Sequence, residues 1–277
     1  MPPLLLVDAP HLLFRSFYAL PDSIKGADGR PVNALLGSLN LLLQAIDEYE
    51  PRAVVLCFGP ESATYRIEAY PAYHAHRPPV PDALAEQWGL APQLYETFGW
   101  TVMDHDEVEA DDLLHSLAHA EEANGGTALI FTGDRDLFQC VGPGVRVIMR
   151  GEVVDAGEVE RRYGIPPALV PDFIALRGDP SDGIPGAKGI GEKTAADILR
   201  RHGSLEAAIA GAVRESRATV RRALIEQADE LRMFRDLALL RDVEVELPAD
   251  RATDCDAGAE AVRALGMARL AERLSAG

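Results

Sequence analysis

Ala128-Leu129-Ile130-Phe131-Thr132-Gly133-Asp134-Arg135-Asp136 is the stretch that decides the fold: an apolar run that ends at once in a glycine turn bearing two acids. The run follows Gly125-Gly126 and reads as a buried strand. The same figure recurs upstream, in Leu4–Val7 ending at Asp8 and in Ala53–Phe58 closed by Gly59-Pro60. Between these runs lie helical patterns: Val32–Glu48, with Leu35, Leu36, Leu39, Leu42, Leu43 and Ile46 in one apolar stripe, then Asp82–Phe98 and Glu109–Asn124. Short strands at Trp100–Met103 and Val145–Met149 complete the alternation, the latter expected to be the last of this half. Strand–helix alternation with short connections predicts an α/β fold with a doubly wound, mainly parallel sheet. Ligands of such sheets bind beyond the carboxyl ends of the strands, where Asp8, Gly59 and Thr132-Gly133-Asp134 fall.

From Asp155 onward the pattern is helical, with candidates at Glu158–Tyr163, Ala168–Leu176, Glu192–His202, Leu205–Ala210, Ala218–Glu230 and Met233–Leu240. The segment Pro60–Pro81 reads as irregular and holds Tyr65, Arg66, Tyr70, Tyr73, His74, His76 and Arg77. Past Pro248 the chain is acidic, then weakly helical from Ala257. The expected division is a core over 1–160 with an arch segment 60–81, a helical region 161–250 and a C-terminal tail 251–277.

Composition narrows the class. Hydrophobic residues make up 47% and charged residues 26%, as in ordinary globular proteins. No apolar run approaches the length of a membrane span, and the opening MPPLLLVDAP lacks the basic flank of a signal peptide. Cys57, Cys140 and Cys255 are scattered, odd in number and without ligand spacing, which predicts a reducing cytoplasm rather than disulfides or a zinc site. The net charge of −17 is unevenly spread: residues 161–241 hold 14 Lys/Arg against 11 Asp/Glu, leaving 13 against 33 elsewhere. An acidic half beside a mildly basic one suits a metal site joined to a phosphate-gripping module, although a solvated acidic surface would look the same.

Eight carboxylates stand in clusters: Asp8; Glu109, Asp111 and Asp112; Asp134 and Asp136; Asp179 and Asp182. Each cluster alone has an ordinary explanation, acidic capping of a helix or an Asp turn. Together at strand ends they would repel one another unless divalent cations neutralised them, which points to metal-dependent phosphoryl chemistry. Next to the Gly178–Gly186 loop lies Lys188-Gly189-Ile190-Gly191-Glu192-Lys193-Thr194, leading into a helix. A Gly-x-Gly hairpin between helices lets backbone N–H groups approach a phosphate, with Lys188 and Lys193 as counter-charge. His115 and His119 stand four apart but have no third ligand at recognisable spacing.

Val7-Asp8, Tyr65-Arg66-x-Glu68-Ala69-Tyr70, Glu109-Ala110-Asp111-Asp112, Asp134-x-Asp136-Leu137, and Gly178-Asp179-x-Ser181-Asp182 through Gly189-Ile190-Gly191-Glu192-Lys193-Thr194-Ala195 occur in the order of a known family. From residue 4 to about 245 the chain resembles the 5′–3′ exonuclease and flap endonuclease family, which includes the N-terminal nuclease domain of bacterial DNA polymerase I. No polymerase follows, so the expectation is a free-standing member.

The resemblance implies a PIN-like nuclease core, a helix-hairpin-helix-type C-terminal region and a site for two or more Mg²⁺ or Mn²⁺ ions. By it, Asp8, Glu109 and Asp111, with Asp112 adjacent, match ligands of one ion, and Asp134, Asp136, Asp179 and Asp182 those around the other. Arg15, Arg66 and Arg77 match or neighbour basic residues at the scissile phosphate, and Tyr73 matches a base-stacking aromatic. Lys188, Gly189, Ile190, Gly191, Lys193 and Thr194 match a duplex-gripping hairpin that holds K⁺ on its carbonyls. The implied partner is branched or 5′-ended DNA: flaps, gaps and primer junctions. The implied protein is a cytoplasmic monomer with no membrane contact. Departures are Gly59 where the family has Asp, His74 where it commonly has Lys, and Ala9 for Gly. Gly59 predicts weaker first-site metal affinity, restorable in Gly59→Asp, and His74 is expected to touch phosphate. The rival readings are a catalytically weakened structure-specific DNA-binding protein and a metal-dependent ribonuclease.

Overall fold

Successive strand residues point to opposite faces, so a strand apolar at every position must be covered on both sides. Leu4 and Leu6 enter one hydrophobic cluster while Leu5 and Val7 enter the other, each burial contributing about 1.5–3 kcal/mol. The computed structural model describes residues 2–276. In chain order these form β1 (Leu4–Asp8), α1 (Ala9–Ala19), α2 (Asn33–Tyr49), β2 (Ala53–Cys57), α3 (Thr64–Ala69), α4 (Asp82–Thr97), β3 (Thr101–Met103), α5 (Ala110–Ala123), β4 (Ala128–Phe131), β5 (Val145–Met149) and β6 (Glu152–Val154). The helices α6 (Ala156–Tyr163), α7 (Val170–Arg177), α8 (Glu192–His202), α9 (Leu205–Ala210), α10 (Ala218–Glu226), α11 (Ala228–Ala238), α12 (Cys255–Ala264) and α13 (Ala268–Leu274) follow.

The sheet runs β3-β2-β1-β4-β5-β6, parallel except for β6. The strand order reverses at β1, between β2 and β4, and the crevice beyond their carboxyl ends is where a doubly wound sheet binds its ligand. One face packs on α5 and α7, with α8 and α11 in the same cluster; the other packs on α1, α2, α4 and the α12–α13 pair. No helix among the described residues is long and apolar enough to cross a membrane.

Four features differ from the sequence reading. Asp8 caps α1 by accepting from His11 N (3.0 Å), and Pro10 in its first turn needs no N–H partner, so residues 9–19 form a helix that the sequence reading does not include. The segment 60–81 contains a helix, α3. β5 is not the last strand, because the Arg150-Gly151 turn, with both residues at positive φ, returns β6 antiparallel to it. Ala218–Glu230 splits at Gln227, whose side chain accepts from Lys188 N (2.8 Å) instead of continuing a helix face. Beyond residue 250 the chain returns to the core: Trp100 Nε1 donates to Thr253 Oγ1 (2.9 Å), and α12–α13 bury Ala259, Val262, Leu270 and Ala271.

Candidate active site

Beyond the carboxyl ends of β1 and β4 the chain ties its acids together through hydrogen bonds. Thr132 Oγ1 donates to Asp8 Oδ2 (2.6 Å) and accepts from Asp134 N (3.0 Å), and Asp134 Oδ1 accepts from Asp136 N (2.8 Å). Asp111, in the first turn of α5, faces the same space. A cavity of ≈370 Å³ is lined by Asp8, Glu109, Asp111, Asp134, Asp136 and Asp182, with Gly59, Arg66, Tyr73, His74 and Arg77 on its walls. Burial, then the charges of Asp134, Asp8 and Glu109, push the Asp111 carboxyl well above its ordinary range. Burial and the neighbouring Asp134 and Asp182 do the same to Asp136. Asp134 is pushed up to about 7 by burial, with Asp182, Asp8 and Asp179 adding to it. Without added cations the site holds protons that ordinary aspartates release.

The donor set is hard carboxylate oxygen, which fits Mg²⁺ or Mn²⁺. Among the described residues no three His, Cys, Asp or Glu side chains form a ready-made metal-binding group. Small hard cations that keep several waters need no such cage, so a spread of carboxylates around a wet cavity suits them.

The other acids are neutralised from within. Arg66 is only 2% exposed and ion-pairs with Glu109 Oε2 (3.0 Å) and Asp112 Oδ1 (3.0 Å), while its Nε donates to Leu237 O (3.1 Å). Asp112 is 0% exposed and also accepts from Tyr65 OH (3.0 Å) and Arg241 N (2.9 Å). Glu109 accepts from Ala63 N (2.7 Å) and Tyr73 OH (3.1 Å). For three residues the geometry differs from the one their expected roles suggest. Asp112, expected near a metal, stands outside the cavity as the counter-ion of Arg66. Arg66 reaches the cavity wall with its charge already compensated. Tyr73 is buried, with its hydroxyl on Glu109 and its ring stacked on His74 (centroids 3.8 Å), not open to a base.

Asp179 also lies outside the cavity. It pairs with Arg177 (2.9 Å), accepts from Ser181 N (2.8 Å) and joins Ile184 in a two-residue bridge. Asp182 does face the cavity and carries two donors on one oxygen, His74 Nε2 and Arg77 Nη2, both 3.1 Å from Oδ1. Burial raises its pKa, but the His74 hydrogen bond and the charges of His74, Arg77 and Arg66 outweigh that and leave it below the ordinary value. His74, expected at a phosphate, is buried here and turned onto this acid.

Gly59 lies on the cavity wall, and a Cβ there would come within 2.6 Å of Val108 O and 3.0 Å of Ala110 N. The backbone entering α5 occupies the space a side chain would need, so the missing carboxylate is a packed contact rather than a gap. Arg15 is half-buried on α1 and makes no ion pair among the described residues. His11, which the sequence reading did not single out, lines the cavity one turn before Arg15. Burial lowers its pKa, Arg15 and Arg150 lower it further, and Asp8 opposes them. Its ring fills the space over Gly133. Phe14 and Trp88, packed edge to face at 5.8 Å, form an apolar wall that was also missed. Recognising α1 as a helix would have placed His11, Phe14 and Arg15 on the side of Asp8.

In the glycine hairpin, Gly189 has φ +78°, Ile190 is buried, and Lys188 and Lys193 are exposed. Gly191 caps α8, and Thr194 Oγ1 accepts from Arg217 Nη2 (3.3 Å). Arg217 thus adds a third exposed cation beside Lys188 and Lys193.

Residues 3–164 match the family model of the 5′-3′ exonuclease N-terminal, resolvase-like domain, and residues 165–257 that of the 5′-3′ exonuclease C-terminal SAM fold. A 5′-3′ exonuclease of Mycobacterium tuberculosis (strain ATCC 25618 / H37Rv) is 37% identical over 236 residues, 76% of this chain and 74% of that protein. The thermostable DNA polymerase I of Thermus filiformis is 40% identical over 238 residues, 86% of this chain. The chain spans only 28% of that polymerase. Among solved structures, T5 5′-exonuclease with bound zinc ions aligns with TM-score 0.73 at 18% identity, over 99% of this chain and 97% of that one. The catalytic core of Rad2 in complex with DNA substrate aligns with TM-score 0.67 at 15% identity, over 99% and 91%. At these identities the two structures speak for the fold alone.

Proposed function

The chain belongs to the 5′–3′ exonuclease family, and on that premise we propose that it is a divalent-metal-dependent 5′ nuclease. It cleaves phosphodiesters of branched or 5′-ended DNA during replication and repair. The observation that carries this reading is the acid-lined cavity at the reversal point of the sheet, with the arch segment over it and the glycine hairpin on the adjoining helical region. The functional division is a core over 1–160, a duplex-gripping region over 161–250 and a C-terminal segment 251–277 that braces the core.

Asp8, Asp111, Asp134 and Asp136, with Glu109 and Asp182 on the rim, would hold Mg²⁺ or Mn²⁺. Such ions supply an activated water and neutralise charge on the phosphate and leaving oxygen. The protein's own part is positioning. Arg15 is the unpaired cation on the α1 side and draws the phosphate toward the acids. Lys188 and Lys193 hold duplex backbone at the hairpin, and K⁺ on the hairpin carbonyls would assist them. Phe14 and Trp88 give unstacked bases an apolar wall. Recognition is then of shape at the junction between single strand and duplex, with affinity falling steeply as salt rises. The protein acts as a cytoplasmic monomer.

The test is a labelled 5′-flap duplex incubated with Mg²⁺ or Mn²⁺, with EDTA and Asp136→Ala as controls. Metal-dependent release of the flap, absent in both controls, is the expected result. Binding without cleavage would select the weakened DNA-binding protein, and preference for an all-RNA substrate the ribonuclease.

A further inference from the structure

The arch segment meets the acidic cavity through two donors that end on a single carboxylate oxygen. His74 Nε2 and Arg77 Nη2 both lie 3.1 Å from Asp182 Oδ1, and Arg77 Nε donates to Ser181 O at 3.4 Å. The backbone joins in, with His74 N donating to Asp182 O (3.1 Å). His74 sits in a left-handed conformation (φ 55°), uncommon for residues with a side chain although His, like Asn and Asp, adopts it more readily than most. Its Nδ1 lies 2.7 Å from Ser62 Oγ and 2.9 Å from Glu61 O, so the far end of the segment fixes the ring. Gly183, at φ +77°, is pressed against Ala72 so closely that a Cβ would lie 2.8 Å from its carbonyl oxygen. These contacts join residues 72–77 to the 181–183 loop, which comes from more than a hundred positions along the chain.

We infer that this is a latch that divalent cations release: His74 and Arg77 close the arch on Asp182, and an ion entering the cavity displaces them. The inference rests on the metal-dependent reading above. Two donors on Oδ1 leave that oxygen unable to approach a small hard cation at bonding distance. An ion seated on the neighbouring Asp134 and Asp136 would also repel the Arg77 guanidinium across the cavity. Opening therefore follows from ligand exchange on one oxygen and from charge. The arch is shut when the site lacks ions and free to admit a strand when it is loaded. The donors that leave Asp182 become available to a phosphate at the moment the ions arrive.

Amide hydrogen exchange on the full chain without DNA reads the latch directly. Adding Mg²⁺ to the EDTA-treated protein should speed exchange at residues 73–77 by about tenfold or more, the signature of local opening. Arg77→Gln, a change at a partly exposed side chain, should tighten Mn²⁺ binding about two- to fivefold by removing a competing partner. His74→Gln should act in the same direction. If it fails to fold, wild-type exchange and Arg77→Gln still decide the matter. Exchange at 73–77 that stays constant or slows while Mn²⁺ binds would overturn the latch alone, because the ion would then be using Oδ2 with the arch closed. Unchanged or weaker Mn²⁺ affinity in Arg77→Gln would overturn it as well. Failure of the wild type to bind Mn²⁺ at all would overturn both the latch and the nuclease reading.

Discussion

Asp134→Asn should make the metal-free protein more stable, and more so at alkaline pH. Burial, then Asp182, Asp8 and Asp179, push the Asp134 carboxyl from an ordinary 3.8 up to about 7. A carboxyl whose folded pKa is raised binds its proton more tightly in the native state than in the unfolded chain. The native state therefore loses stability as pH rises from about 4 to about 7 and is level above that. A rise of about three pH units corresponds to at most about 4 kcal/mol. Asp134 keeps part of its surface open to the cavity, and water there screens the penalty to about 2 kcal/mol. Asn cannot ionise, so it removes that penalty. At this chain length ~2 kcal/mol raises Tm by about 4–8 °C. Thermal unfolding in EDTA should show the variant gaining this much at pH 8 and about a third of it at pH 5. Saturating Mg²⁺ should stabilise the wild type more than the variant at pH 8, narrowing the gap, while flap cleavage falls in the variant. A variant no more stable than wild type at pH 8 in EDTA would refute the reasoning, as would an equal gain at both pH values.

Gly59→Asp, the substitution that sequence reasoning suggests would restore a metal ligand, should instead lower stability by about 1–3 kcal/mol, because Val108 O and Ala110 N occupy the space its Cβ needs. Calorimetric titration with Mn²⁺ should show no gain in affinity; a tighter first ion would mean that the backbone yields. Asp112→Ala should cost about 3–5 kcal/mol by leaving the buried Arg66 guanidinium half compensated, measurable as a lower urea midpoint. If Asp112 were a ligand and not a counter-ion, the loss would appear in Mn²⁺ affinity with stability little changed.

How far the sequence could be read follows from what each feature depends on. β1, β2 and β4 were legible because runs such as Leu4–Val7 and Ala128–Phe131 are apolar at every position, a pattern that only burial on both faces explains. The carboxyl-end acids were legible for the same reason, since the end of the run places them. Asp111 and Asp112 could not be told apart. Consecutive helix residues diverge by about 100° around the axis, so one neighbour can face the cavity while the other faces Arg66. Only the packing of α5 decides which. The contact His74 makes was hidden in a similar way: its place in the motif suggests a phosphate, and nothing in the sequence shows that its ring meets Asp182, 108 positions away. Gly59 read as a missing side chain because sequence carries no record of how closely the backbone entering α5 approaches it.

The eight acids divide by whether the protein supplies a cation. Glu109 and Asp112 share Arg66, Asp179 has Arg177, and Asp182 has Arg77 and His74. Asp8, Asp111, Asp134 and Asp136 have no ion-pair partner among the described residues, yet all four line one cavity. Full ionisation would place four negative charges around one cavity, which the fold resists by favouring the protonated forms of Asp111, Asp134 and Asp136. Two divalent cations carry the matching charge. A fold that needed these acids only for capping would have spread them over several helix starts or paired them as it paired the other four. Leaving this set unpaired costs stability, and the cost is recovered only when cations from solution enter, so the arrangement makes sense for a site whose working state is the loaded one.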